Sequence, residues 1–160
     1  MIRLGHAGDV LGVFRLLEEA HQSLAYVGPG IDRDKTYERV LWLMQNGLVL
    51  VCMDDDQVEV VGSLGLEEVE PWYTRMKVLS DVWFYVKPEW RASRLAKEML
   101  GVAKKVADDS GLPLQFSVSH GFDLGRKDAW FKRNGFESVG GIYIYGELIR
   151  WRTRNDPDDS

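Results

Sequence analysis

Apolar positions along this chain follow two rhythms. Val10, Phe14, Leu17, Ala20 and Leu24 recur three and four residues apart, the spacing that lines one face of a helix, and Asp9 stands where an N-cap belongs. Gly28-Pro29-Gly30 interrupts the pattern. It resumes from about Asp34 with Tyr37, Val40, Leu41 and Met44, and Gly47 reads as the helix stop. Then the rhythm changes. Leu48 to Met53 is an unbroken apolar run of strand length, Asp54-Asp55-Asp56-Gln57 turns the chain, and Val58 to Val69 returns, which predicts a hairpin. Pro71-Trp72-Tyr73 opens a loop. Val78 to Val86, rich in β-branched and aromatic residues, predicts a third long strand that Pro88 ends. Leu95, Ala96, Met99, Leu100, Ala103, Val106 and Ala107 mark the inner face of a further helix, with Lys97, Glu98, Lys104, Lys105 and Asp108 outside. Gly111 and Pro113 close it.

The remaining elements are shorter. Ile2 to Leu4 reads as a first strand, Leu114 to Ser119 as a strand, and Asp128 to Asn134 as a helix ending at Gly135. Phe136 to Val139 and Ile142 to Ile149 read as final strands broken by Gly140-Gly141. The order β-α-α-β-β-β-α-β-α-β-β predicts a mixed α/β domain around a central sheet. A single domain over residues 1–151 suits a chain of 160 residues, and the polar stretch 152–160 reads as a disordered acidic tail.

Composition narrows the function class. With 45% hydrophobic and 28% charged residues and no run of ~18 apolar residues, the chain reads as globular, with no membrane partner and no signal peptide expected. The lone Cys52 leaves no internal disulfide and no multi-cysteine zinc site, which fits a cytoplasmic location. A net charge of -5 argues against sequence-independent DNA binding. Two basic clusters, Arg91/Arg94/Lys97/Lys104/Lys105 and Arg126/Lys127/Lys132/Arg133, are either solvated helix faces or local anion patches. Neither a nucleophile elbow nor metal-ligand spacing occurs, so no metal is expected.

The informative stretch is Phe84-Tyr85-Val86-Lys87-Pro88-Glu89-Trp90-Arg91-Ala92-Ser93-Arg94-Leu95-Ala96. A strand stops at proline, turns, and enters a helix whose first turn offers unpaired N–H groups and the positive end of the helix dipole. Such a site accepts phosphate. Arg91 and Arg94 flank it, and Ala92, Ser93 and Ala96 let a ligand approach the backbone. This segment resembles the acetyl-CoA motif of the GNAT family of N-acetyltransferases, Arg/Gln-x-x-Gly-x-Gly/Ala after a strand ending in Val-x-Pro-Glu. Arg91 and Ala96 match the first and last positions, while Arg94 replaces the central glycine. Phe131-Lys132-Arg133-Asn134-Gly135-Phe136 resembles the family's C-terminal Tyr-x-x-x-Gly-Phe segment, with Phe131 in place of the tyrosine. Val139-Gly140-Gly141-Ile142-Tyr143 resembles GNAT-like proteins of bacteriophages.

The resemblance implies a mostly antiparallel twisted sheet of six to seven strands, splayed at the acyl-CoA site and flanked by about four helices. It implies acetyl transfer from acetyl-CoA to an amine by direct attack on the thioester, with a backbone N–H of the central strand polarising the carbonyl. The cofactor site it implies comprises Phe84, Val86, Arg91, Ala92, Ser93, Arg94, Leu95, Ala96 and Phe131. Phe131 has no proton to give a leaving thiolate, so another group serves, or water does, or turnover is lost.

For the base, Asp81, Glu67 and Glu68 are candidates, each otherwise a solvent-facing carboxylate. Strand alternation sets Asp81 opposite Val86 unless a bulge shifts the phase. For the acid or substrate contact the candidates are Ser119, His120, Tyr143 and Tyr145. By the same resemblance, the loop Tyr26 to Asp32 and the Trp72-Tyr73 turn border the acceptor. Trp83 and Trp90 complete an aromatic rim or, more simply, serve the core and anchor the loop. The acceptor is a small-molecule amine, a protein lysine or N-terminus, or a modified nucleobase. A fold that binds CoA or a partner without turnover is the non-enzymatic alternative. The exposed final strand is a candidate for pairing two subunits.

Overall fold

The long apolar runs become strands β3 (Leu48–Met53), β4 (Val60–Val69) and β5 (Val78–Val86). The computed structural model describes residues 1–23, 26–27, 30–118, 123–141 and 150–151. Strand β1 (Ile2–Leu4) pairs antiparallel with β3, and β6 (Leu114–Gln115) pairs parallel with β5, giving a five-stranded sheet in the order β1-β3-β4-β5-β6. Every neighbour pair but the last is antiparallel.

Alternation along β3 explains its unbroken apolar sequence, because both of its faces are covered. Val49, Val51 and Met53 join Val10, Val13 and Leu16 of α1 (Val10–Gln22) and Val40 and Leu43 of α2 (Arg33–Asn46). Leu50 and Cys52 join Leu64, Leu66 and Val86 beneath Met99 and Ala103 of α3 (Leu95–Ser110). Helix α3 ends where the sequence placed its stop: Gly111 takes φ 68°, a left-handed conformation that a side chain disfavours.

These elements form one compact unit, Met1–Ala20 with Asp32–Phe116. A second unit is drawn from His21–Ile31 and Ser117–Ser160. In it, β2 (Tyr26–Val27) pairs antiparallel with β7 (Arg150–Trp151), and α4 spans Leu124–Arg133. The fold is therefore mixed α+β with a mostly antiparallel main sheet of five strands and, among the described residues, four helices. None of these helices is long and apolar enough to cross a membrane.

Five local expectations change, the first being that the strand from Leu114 ends at Gln115, well before Ser119. Strand β4 starts at Val60 rather than Val58, because the Asp54 carboxylate accepts the N–H groups of Val58 and Glu59 and holds them in the turn. Phe136 to Val139 is not a strand: the Phe136 N–H closes the end of α4 on the Phe131 carbonyl (3.1 Å), and Val139 is exposed. Helix α4 begins at Leu124, four residues earlier than the charged Leu-Gly-Arg-Lys stretch suggested. Asp9 is not an N-cap. It is the third residue of a short 3-10 turn (Ala7–Asp9) capped by His6, whose N–H it accepts at 2.9 Å. The predicted strand Ile142 to Ile149 and the tail 152–160 lie outside the described residues.

Two contacts fix this unit's geometry. The Asp9 carboxylate is buried and takes both terminal nitrogens of Arg3 at 2.6 and 2.7 Å, tying β1 to the start of α1. On the α1/α2 face, the Trp83 indole N–H donates to Ser63 Oγ (3.0 Å), which donates to the Leu50 carbonyl (2.9 Å), so a buried hydroxyl is satisfied on both sides. Trp83 lies over Gly65, where a Cβ would meet its ring at 2.6 Å and Leu43 at 2.7 Å.

Gly65→Ala is expected to destabilise the chain by about 1–3 kcal/mol through overpacking, read as a lower denaturant midpoint at an unchanged slope. Asp9→Asn is expected to cost about 1–3 kcal/mol at neutral pH. The Arg3 hydrogen bonds hold the Asp9 carboxyl below its ordinary value. Its stabilisation is therefore present above about pH 4 and fades as pH falls through the lowered folded value. Melting curves of wild type and Asp9→Asn should converge on acidification; a constant gap would exclude this source.

Candidate functional site

The site is built where β5 leaves the sheet. Its register against β4 runs Val86 to Gly62, Tyr85 to Ser63, Phe84 to Leu64 and Trp83 to Gly65, then jumps to Asp81 opposite Leu66. Val82 is the extra residue of a β-bulge. Residues paired across an antiparallel ladder share a face, so Asp81 joins Leu79, Phe84 and Val86 on the α3 side. Trp83 and Tyr85 stay on the α1/α2 side, and Val82 packs there too. The β5–β6 ladder has two pairs, Leu79 to Leu114 and Ser80 to Gln115, and stops. Asp81, half-buried, is the next residue. Beyond it no further pair forms between the two strands, and Phe116 lies tilted against Phe84 at 5.6 Å between ring centroids.

Past β5, Pro88–Trp90 forms a 3-10 turn, Arg91 to Arg94 bridge, and α3 begins at Leu95. Pro88 forbids further ladder bonding, and Trp90, Leu95 and Ala96 pack on the α3-side core and anchor both ends of the loop. Several first-turn N–H groups have protein acceptors: Ser93 reaches Trp90 O (3.1 Å), Leu95 reaches Ser93 Oγ (3.3 Å) and Glu98 reaches Arg94 O (2.9 Å). The N–H groups of Ala92, Arg94, Ala96 and Lys97 meet none among the described residues. Exposed, unpaired donors at a helix N-terminus attract an anion.

The two loop arginines differ. Arg91 Nε donates to the Val86 carbonyl at 3.0 Å, and its guanidinium lies 5.3 Å from the Tyr85 ring centroid, so one edge is committed to the protein. Arg94 is exposed, makes no ion pair among the described residues, and has φ -83°. An ordinary right-handed conformation suits it, so standing where the motif has glycine strains nothing.

The other candidates scatter. Glu67 pairs with Ser80 on the opposite face from Asp81 and bonds Arg39 of α2 at 2.6 Å. Glu68 is exposed and pairs with Lys77 at 3.1 Å. Trp72 and Tyr73 meet edge to face on the β4–β5 turn and are strongly exposed, Trp72 at 95%. Tyr26 belongs to β2 of the second unit. Phe131 lies on α4, also in the second unit, between Trp130 and Phe136 at 5.0 and 5.4 Å. Ser119, His120, Tyr143 and Tyr145 lie outside the described residues.

Sequence reasoning missed Lys87, Tyr85 and Glu19. The Lys87 ammonium is 13% exposed and bonds Glu59 (2.6 Å) and Glu19 (3.2 Å), and the Glu59 bond first, then Glu19, raises its pKa. Tyr85 Oη donates to the other Glu19 oxygen at 3.4 Å. A lysine within an aromatic strand end was the available signal.

No protein-family model matches the chain, and no curated protein sequence matches it. Solved structures do. An integron cassette protein from the mobile metagenome of Cole Harbour Salt Marsh is 22% identical, with a TM-score of 0.69 over 92% of this chain and 90% of its own. AAC(6')-Iy, solved with the bisubstrate analog CoA-S-monomethyl-acetylneamine, is 14% identical, with a TM-score of 0.68 over 92% and 97%. A GNAT family acetyltransferase from Staphylococcus aureus is 12% identical, with a TM-score of 0.61 over 91% and 97%. The chain has the GNAT fold. Within it, the segment from Arg91 to Ala96 follows strand β5 and the Pro88–Trp90 turn and runs into the first turn of α3.

Proposed function

We propose that this chain is an acyl-CoA-dependent N-acyltransferase that moves an acetyl group from acetyl-CoA to a primary amine. The observation that carries the reading is the β5–α3 loop, with four N–H groups that meet no acceptor and an Arg94 that makes no ion pair among the described residues, at the end of a strand whose ladder with β6 stops at Ser80. That a protein of the same fold was solved with a CoA-containing analog supports it. The residues present fit the group: exposed donors and a cation suit a pyrophosphate, and Ala92 and Ala96 leave its approach open.

Bound acetyl-CoA supplies the thioester. The loop N–H groups and Arg94 hold the pyrophosphate, and the stretch of β5 beyond its ladder with β6, with Phe84 and Val86 on its α3 face, receives the pantetheine arm. Asp81 accepts the proton of the attacking amine, because the Val82 bulge turns it to that face. Glu67, bonded to Arg39 on the other face, serves α2 packing instead. Trp72 and Tyr73 form the exposed aromatic contact for the acceptor. The domain spans residues 1–151, and transfer to a small-molecule amine is the favoured acceptor class. A second reading, CoA binding without turnover, draws on Phe131, which cannot protonate a thiolate.

Acetyl-CoA at a hundredfold excess over its Kd should raise Tm by about 5–10 °C. No shift at millimolar ligand would remove the loop assignment. Thiol release against an amine panel then separates enzyme from binder. Cys52 does not interfere, being buried with its thiol pushed up to about 11 by desolvation. Asp81→Asn should lower kcat about 10²- to 10⁴-fold with CoA affinity within about twofold. Arg94→Ala should weaken CoA about three- to tenfold, and tighter binding would mark the side chain as an obstruction.

A further inference from the structure

Lys87 is the last residue that the ladder holds before the loop. Its N–H donates to the Val61 carbonyl at 2.9 Å, and its own carbonyl accepts the Trp90 N–H at 2.9 Å. Pro88 follows and has no N–H to give. The ammonium lies between Glu59, just before β4, and Glu19 on α1, both of them partly exposed. An apolar side chain of the same length could cover the same stem but could not bond two carboxylates from different segments, so packing alone does not explain the lysine. What it adds is a fixed link among three segments. Glu19 also accepts the Tyr85 hydroxyl, and the Tyr85 ring carries the Arg91 guanidinium, whose Nε is held on the Val86 carbonyl. Glu59, Lys87, Glu19, Tyr85 and Arg91 thus form one connected set ending at the first residue of the loop.

We propose that Lys87 is a positioning residue for cofactor binding: clamped by Glu59 and Glu19, it straps the exit of β5 to α1 and the β3–β4 turn, and so holds Arg91 and the following N–H groups in the arrangement that receives a pyrophosphate. The inference rests on the acyl-CoA reading of the loop and adds to it a residue that contacts no substrate.

The test compares wild type, Lys87→Met, Lys87→Arg and Glu59→Gln. Hydrogen exchange of amides 90–97 in the ligand-free chain should speed up about three- to tenfold in Lys87→Met, while amides 99–107 of α3 keep wild-type rates. Calorimetric titration with CoA should show a Kd weaker by a similar factor, and kinetics should place the loss in KM for acetyl-CoA with kcat within about twofold. Lys87→Arg should restore both. Glu59→Gln, at a largely exposed carboxylate, should show a smaller change of the same sign and keeps the test readable if Lys87→Met does not fold. Wild-type exchange rates and wild-type CoA affinity in a folded Lys87→Met chain overturn the proposal. A wild-type chain that takes up no CoA overturns the acyl-CoA reading instead, and the exchange result, which needs no ligand, tells the two failures apart.

Discussion

Between Trp83, which pairs with Gly65, and Asp81, which pairs with Leu66, strand β5 carries Val82 with no partner of its own on β4. This one inserted residue sets the face of everything before it in the strand, because a pleated strand alternates sides at every step. Without it Asp81 would share the α1/α2 side with Trp83. With it Asp81 shares the α3 side with Phe84 and Val86, at the residue where the β5–β6 ladder stops. The register is held from the other side of the sheet. Trp83 fits over Gly65, where no Cβ could stand, and its indole N–H satisfies Ser63, which in turn satisfies the Leu50 carbonyl. A slip of one residue would break the bonds, leave a buried hydroxyl unpaired and drive a side chain into the indole. Core packing on one face therefore determines which carboxylate is presented on the other.

How much of this was legible follows from the length of each signal. β3, β5 and the amphipathic α3 stand where periodicity put them, since each repeats its pattern over many residues. The bulge left no comparable trace. Val82-Trp83-Phe84 is apolar in either phase, so the sequence allowed both orientations of Asp81. The false start of β4 at Val58 has a similar cause: valine suits a strand, but a turn carboxylate captured its amide. Phe136 to Val139 looked like a strand because its residues suit one, yet the first amide is spent closing α4, where Gly135 takes φ 87°. The β2–β7 ladder is two residues per strand, too short for periodicity to register.

The loop was legible as a strand-to-helix turn and less so as chemistry. Its place after Val-x-Pro-Glu gave the strand, the stop and the helix start. The arginine at the glycine position departs from the motif, and its φ of -83° shows that glycine is not needed for the backbone to pass through. What remains is steric and electrostatic: a long cationic side chain at a place where small residues leave the backbone open. Its neighbour Ser93 works in the other direction, since its hydroxyl already occupies the Leu95 N–H.

The two arginines then divide the work by how much of each is committed. A guanidinium offers five N–H donors in a fixed plane, and Arg91 uses its Nε on Val86 and its face on Tyr85. Those two contacts restrict the guanidinium and reduce the side-chain entropy it keeps. Arg94 has no such fixture, so it brings charge without that restriction. A loop built this way gains geometric definition from Arg91 and attraction from Arg94. The definition is only as good as the seat of Arg91. That seat is the Tyr85 ring and the Val86 carbonyl, from adjacent residues whose side chains take opposite faces of the sheet, with Tyr85 bonded to Glu19 and the Val86 side chain buried in the α3-side core. The Arg91 end of the loop is thus referenced to residues packed on both faces of the sheet.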